Sequence, residues 1–226
     1  MDADLDDQEW RTISAILESY LIRRAVCNLG TKNYNRTFLS LTRNMRKDCF
    51  TADRLKMQLL GTSGSAVIWP DDATFREAWL HGKLYEPLNS SKLVHLFGRL
   101  NETFMSSKSE KVVFATRPTV EHIMPQNWIS TWPLPDGSKG LDSYGLYIAT
   151  KSDPVAEGSR KREAAIQSLG NLTILSSGLN SSQKNLAWEK KRPEMMKHSL
   201  LQSWPGMSEQ LRLIDKWTPA GFALSV

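Results

Sequence analysis

The apolar pattern of this chain changes its period near residue 106, and this change limits the possible folds more than any other feature. Before that point apolar residues recur every three or four positions, as on one face of an α-helix, most clearly over residues 10–26. After it come short runs rich in β-branched residues, which predict strands at Thr119–Ile123 and at residues 171–175. The sequence therefore predicts an α+β protein.

A polar stretch, SSKSEK, separates the two patterns and predicts a domain boundary. We expect a helical bundle over residues 1–110 and a second unit, with the strands, over residues 111–226. Capping residues and glycines indicate where helices begin and end. The predicted helices are one that follows Asp6 and Asp7 and runs through Val26, then 34–45, 52–60, 72–80, 91–105 and 155–169, a helix that Pro193 breaks or kinks, and 207–217.

Composition excludes several classes of protein. The chain has 226 residues, 40% hydrophobic and 23% charged, which is typical of a folded soluble domain and not of a disordered chain. Its apolar runs are too short to cross a membrane, and its acidic start lacks the apolar segment of a secretory signal. Cys27 and Cys49 are too few for a disulfide scaffold or a four-cysteine zinc site. We expect a cytoplasmic protein without a membrane partner.

The positive charge is concentrated in one part of the chain. The net charge is +5, from 29 basic and 24 acidic residues, and residues 151–200 alone hold nine basic and five acidic residues. A local basic surface is typical of contact with nucleic-acid phosphates. A solvated helix face would give the same count, so charge alone leaves both interpretations open.

Polar residues suited to phosphodiester chemistry stand at the strands and at the following helix. Glu121 and His122 lie in the first strand, Asn171 opens the second, and Asn180 stands near a helix start. An imidazole can take a proton from the attacking water at neutral pH. A divalent ion such as Mg²⁺ can stabilise the leaving oxygen, and it prefers carboxylate and amide oxygens as ligands. This order of residues indicates phosphodiester cleavage.

The same residues also have structural interpretations. Glu121 could form a salt bridge, Asn180 could cap a helix, and Asn171 could serve only to start a strand. Neighbouring side chains of a strand point to opposite faces, so Glu121 and His122 could share one site only if the strand end bends or the ion lies at its edge.

The motifs EHIMPQ at 121–126, LGNLTIL at 169–175, LN at 179–180 and SSQKN at 181–185, with Lys190-Lys191, resemble a nuclease family. This is the HNH-type (His-Me finger) domain DUF1524, the C-terminal half of GmrSD-type restriction enzymes and of related phage-defence proteins. The resemblance implies a ββα-metal nuclease unit. It implies a metal-dependent DNA endonuclease that nicks DNA or cuts both strands, as the effector of a bacterial restriction or antiphage system.

The resemblance also implies a role for each matching residue. His122 would be the general base, Asn171 would brace the loop that positions it, and Glu121 and Asn180 would bind the ion, Mg²⁺ or alternatively Mn²⁺. Further residues are implied as contacts to the DNA backbone, or as additional members of the site. The implied DNA contacts are Lys184, Lys190, Lys191 and Arg192, and the further candidates are Asn185 and Gln126.

The resemblance also implies partners and leaves alternatives. Residues 17–41 resemble the helical segment that joins this nuclease to an N-terminal DUF262 domain, a nucleotide-hydrolysing module, so we expect such a domain in a longer protein. One site cuts one strand, so a double-strand break would need a homo-oligomer or two successive binding and cleavage events. A catalytically silent DNA-binding or regulatory module is the main alternative function, and an RNA-directed nuclease is another.

Overall fold

The structure is a computed structural model, which describes residues 5–47, 50–64, 66–104, 117–176, 178 and 186–198. The chain forms two compact units, Met1–Trp79 and Leu80–Val226. Among the described helices, none has both the length and the apolar character needed to cross a membrane.

The first unit is helical. It contains α1 (Asp7–Val26), α2 (Tyr34–Lys47), α3 (Ala52–Leu60) and most of α4 (Asp72–His81). The Asp6 side chain caps α1 by accepting a hydrogen bond from the Glu9 backbone N–H at 2.7 Å, and the Thr51 side chain caps α3 in the same way. These caps confirm the helix starts that the sequence predicts.

Two kinds of contact hold the first unit together. Its buried apolar side chains come from α1, α2 and α3, which pack around Tyr20. Arg24 is fully buried among them, and its guanidinium donates hydrogen bonds to the carbonyls of Gly30, Ala66 and Ile68 at 2.8–3.0 Å. A guanidinium has five N–H donors, so one side chain can satisfy several carbonyls that the loops bury. The core cluster comprises Ile13, Tyr20, Leu41, Ala52, Leu55 and Leu59.

The second unit combines helices with a small sheet. Its elements are α5 (Ser90–Phe104), β1 (Thr119–His122), α6 (Ser143–Ile148), α7 (Pro154–Ile166), β2 (Leu172–Leu175) and α8 (Trp188–His198). Short 3₁₀ turns lie at Trp128–Ser130 and Leu169–Asn171.

The two strands are antiparallel, and α5 packs against both of them. The register pairs Glu121 with Thr173 and His122 with Leu172. Every residue of β2 is buried. Because β1 ends at His122, the sheet brings this histidine to the segment that leads into β2, although about fifty residues separate the two in sequence.

The architecture confirms the predicted α+β class with a helical N-terminal part. The compact units divide between Trp79 and Leu80, so α5 lies with the strands, whereas the sequence placed the boundary near residue 110. The domain limits 1–110 and 111–226 remain a prediction.

The α8 helix continues through Pro193. The predicted helix at 207–217 lies outside the described residues.

Candidate active site

Asn171 holds the turn that follows His122. Its Oδ1 accepts a hydrogen bond from the Met124 backbone N–H at 2.7 Å, and its Nδ2 donates to the carbonyls of Met124 at 2.9 Å and Ile166 at 3.0 Å. Its own carbonyl accepts from the Ile123 N–H at 2.8 Å. The Asn171 side chain is buried, so these hydrogen bonds replace those that its amide oxygen and nitrogen would make with water. One residue therefore fixes the backbone just after the histidine.

The His122 ring lies between two residues of other elements. Its Nε2 is 3.3 Å from Oε1 of Gln167, and the Tyr85 ring meets it edge-on with the centroids 4.4 Å apart. The Tyr85 N–H in turn donates to the Gln167 carbonyl at 3.1 Å. An amide oxygen beside Nε2 favours the tautomer that carries its proton there, which leaves Nδ1 as the basic nitrogen.

The surroundings of His122 favour its neutral form. Burial lowers the pKa of His122 below its ordinary value of 6.5; the hydrogen bond with Gln167 acts in the opposite direction, and the charge of Lys191 lowers the pKa further. A neutral imidazole can accept a proton, which a general base must do.

Glu121 pairs with a buried lysine. Nζ of Lys191, which is 0% exposed, lies 2.5 Å from Oε1 of Glu121, whose side chain is 10% exposed. The same ammonium donates to the backbone carbonyl of His122. Burial lowers the pKa of Lys191, and the Glu121 carboxylate opposes this by favouring the charged form. Lys191 thus connects α8 to the last two residues of β1.

Glu121 and His122 therefore have different side-chain partners, as expected for adjacent strand positions. The Glu121 carboxylate contacts Lys191, whereas the His122 ring contacts Gln167 and Tyr85.

Arg162 of α7 supports the segment beyond the histidine. Its guanidinium donates to the carbonyls of Trp132 at 3.1 Å and Pro133 at 2.6 Å, and it lies over the Trp128 ring, 5.2 Å from the centroid. Burial lowers the pKa of Arg162 to about 10. Arg162 therefore serves the interior, although it counts toward the basic excess of residues 151–200.

The remaining predicted site residues differ in exposure. Lys190 and Gln126 are exposed, Arg192 is half-buried, and Lys191 is buried. The structure thus brings His122, Asn171, Glu121 and Lys191 together, with the Lys191 side chain buried inside the protein. The predictions for Asn180, Lys184 and Asn185 lie outside the described residues.

The described residues do not fit a metal ion at Glu121. They include no group of three or more His, Cys, Asp or Glu side chains that could hold one. Oε1 of Glu121 is already 2.5 Å from the Lys191 ammonium, so a cation on that oxygen would lie close to a second positive charge and be repelled. The other implied ligand, Asn180, is among the residues that the structure leaves undescribed.

Sequence reasoning missed Gln167, Tyr85 and the partner of Glu121. Gln167 follows directly on the last residue of α7, and Tyr85 lies in a loop before α5. Neither belongs to a motif. Lys191 is 70 residues from Glu121, so only an alignment of relatives with paired changes at the two positions could have signalled the contact.

Together, the fold and the site define an α+β protein in which a buried histidine at a strand end, with a lowered pKa, is the candidate general base. Residues 69–223 match the family described as GmrSD restriction endonucleases, C-terminal domain, and the chain belongs to this family. The match covers β1, β2 and α8, and it confirms the predicted relationship to the C-terminal domain of GmrSD-type restriction enzymes. No curated protein and no solved structure matches the chain significantly. Membership in a family of restriction endonucleases indicates a nuclease.

Proposed function

We propose that the chain is an HNH-type DNA endonuclease, the effector domain of a bacterial restriction or antiphage system. The observation that carries the proposal is the environment of His122, a buried imidazole with a lowered pKa at a strand end that Asn171 braces. Family membership supports the nuclease class. The resemblance of EHIMPQ and LGNLTIL to the HNH domain supports the finer assignment.

In the proposed reaction His122 accepts a proton from the water whose oxygen bonds to the phosphorus. The bond between the phosphorus and the leaving 3′ oxygen breaks, and that oxygen takes a proton from solvent. The contact between Nε2 and Gln167 favours Nδ1 as the accepting atom. Asn171 keeps the backbone after His122 in place, so the ring does not need to reorganise as the proton moves. Lys190 and Arg192, with Lys184, would contact the DNA phosphates, which positions the backbone without reading its sequence.

The proposed requirement for Mg²⁺, or alternatively Mn²⁺, rests on the family resemblance. Asn180 is the candidate ligand that the structure leaves open, and Glu121 could bind an ion only by leaving Lys191.

We expect the chain to nick supercoiled plasmid DNA with Mg²⁺ or Mn²⁺ and to leave it intact when EDTA removes the metal. A divalent ion would stabilise the charge that develops on the phosphate and the leaving oxygen. The measurement is the conversion of supercoiled to open-circular plasmid on an agarose gel, over a metal series.

The same assay separates the alternatives. Undiminished cleavage in EDTA would refute the metal requirement. DNA that shifts in a native gel but stays uncut at every metal concentration would indicate the silent binding module. Cleavage of RNA with DNA left intact would indicate the RNA-directed nuclease.

The pH dependence of cleavage should report the lowered pKa of His122. Burial disfavours the charged imidazolium, so the base stays neutral down to a lower pH than an ordinary histidine would. We expect the acid limb of kcat/KM to have its midpoint below pH 6.5, the ordinary pKa of a histidine. Initial rates at saturating metal in overlapping buffers measure the profile, and an acid limb with its midpoint above pH 6.5 would contradict this environment for the base.

The wider biological setting is also a proposal. The resemblance of residues 17–41 to a joining segment supports an N-terminal DUF262-like nucleotide-hydrolysing domain in a longer cytoplasmic protein. Double-strand cleavage would require a homo-oligomer or two successive nicks, because one site cuts one strand.

A further inference from the structure

The contact that links α8 to the end of β1 lies inside the protein. Lys191 has no exposed surface, and its ammonium reaches both the Glu121 carboxylate, at 2.5 Å, and the His122 carbonyl. The two neighbours of Lys191 along the chain, Lys190 and Arg192, are not buried. The Lys191 side chain is therefore oriented toward the sheet, unlike that of the exposed Lys190.

A buried ion pair of this kind adds little to the stability of a fold, but it fixes the relative positions of the groups that it joins. Removing two charges from water costs about as much as their attraction returns, so apolar residues of similar size can often replace such a pair without loss. The loss of one partner, in contrast, leaves an unpaired buried charge and is strongly destabilising. The contact to the His122 carbonyl adds a directional constraint on the backbone of the candidate base.

The backbone around His122 is thus held by two different residues. Lys191 binds the carbonyl of His122, and Asn171 binds the N–H groups of Ile123 and Met124. The carbonyl of His122 and the N–H of Ile123 belong to the same peptide group. Lys191 and Asn171 therefore bind this planar group at its two opposite edges. Its orientation sets the direction in which the His122 side chain leaves the backbone.

We propose that Lys191 is a positioning residue that aligns His122 through its carbonyl, and that Glu121 is the partner of this lysine and not a metal ligand. The inference rests on the proposed nuclease function. This assignment gives separate roles to two adjacent side chains that point to opposite faces. Glu121 pairs with Lys191, and His122 acts as the base. Lys191 also joins the base to α8, so Lys190 and Arg192 keep a constant distance from the reacting atoms.

Four variants of the full chain test the proposal: Glu121→Gln, Lys191→Met, the double variant of these two, and Lys191→Arg. The matched control is the exposed pair Glu157–Lys161 on α7, also 2.5 Å apart, changed to Glu157→Gln and Lys161→Met. The measurements are kcat, KM and the half-saturating Mg²⁺ concentration in plasmid nicking, together with the thermal midpoint.

We expect Glu121→Gln and Lys191→Met each to lower kcat about 10- to 100-fold, the effect of a small misplacement of a reacting group, while the half-saturating Mg²⁺ concentration stays unchanged. Each single variant should also lower the thermal midpoint by roughly 5–10 °C. The double variant should recover most of the thermal midpoint and remain slow, because the Lys191 ammonium then no longer holds the His122 carbonyl. Lys191→Arg should recover part of kcat, and the α7 variants should behave as wild type.

Two results would overturn the proposal. If Glu121→Gln raises the half-saturating Mg²⁺ concentration while Lys191→Met does not, Glu121 is a metal ligand. If the double variant recovers kcat together with stability, Lys191 has only a structural role. The double variant also keeps the test valid if Lys191→Met fails to fold.

A readout without catalysis separates failure of this proposal from failure of the proposed function. The ring nitrogen signals of His122 in ¹⁵N NMR should move in the double variant and not in Lys161→Met. Unmoved signals would refute the positioning role, whether or not the wild-type chain cuts DNA. If the signals move but the wild-type chain does not cut DNA, the alignment of His122 by Lys191 is supported and the proposed nuclease function is refuted.

Discussion

Replacing His122 by alanine should lower the rate of DNA nicking by about 10²- to 10⁴-fold, the usual contribution of a general base. In the proposed reaction the buried ring accepts the proton, and burial favours its neutral form, while Gln167 and Tyr85 contact it. Alanine removes the acceptor, but it leaves the backbone groups that Asn171 and Lys191 bind. We therefore expect binding of DNA to persist while cleavage is lost. Initial nicking rates and gel-shift affinities measured on the same preparation separate the two.

The control for this variant is His81→Ala, which removes an exposed histidine at the end of α4. It should cut at the wild-type rate. Nicking by purified His122→Ala at the wild-type rate would falsify the assignment of the base.

Replacing Asn171 by alanine should destabilise the fold by about 3–5 kcal/mol, because an unpaired buried polar group costs about 1–3 kcal/mol. The change removes three side-chain hydrogen bonds and leaves the Met124 N–H, the Met124 carbonyl and the Ile166 carbonyl without this partner. Such a loss is a large part of the stability of an ordinary domain. Urea unfolding followed by tryptophan fluorescence measures it.

Asn127→Ala serves as the matched control, since Asn127 is exposed and its side chain makes no capping bond to the turn that follows it. Its midpoint in urea should be that of wild type. Asn171→Asp should lie between the two because a carboxylate keeps the acceptor for the Met124 N–H and loses the donor to both carbonyls. A loss below about 1 kcal/mol in Asn171→Ala would show that the turn does not depend on this side chain.

Local signals in the sequence were sufficient for the secondary structure around the site. The predicted strand at Thr119–Ile123 corresponds to β1 at Thr119–His122, and the predicted strand at 171–175 corresponds to β2 at Leu172–Leu175. Runs of β-branched residues bounded by turn residues depend only on neighbours in the chain. The same holds for the helix caps at Asp6 and Thr51.

The loop between the strands was harder to predict. The helices predicted from the sequence leave out the stretch 127–145, whereas the structure places the turn Trp128–Ser130 and the start of α6 at Ser143 in it. Arg162 organises this stretch by binding the carbonyls of Trp132 and Pro133 from α7. Such a contact has no local pattern because it joins residues about thirty positions apart.

The sequence by itself determined the α+β class, the places of the strands and the residue types suited to phosphodiester chemistry. Only the tertiary structure decided which charges meet. The run of basic residues in α8 looked uniform in sequence, but a helix presents successive side chains to different directions, and the direction of Lys191 is the one that the sheet covers. Burial makes an unpaired charge costly, so Lys191 binds Glu121 and the His122 carbonyl, while Lys190 stays in water.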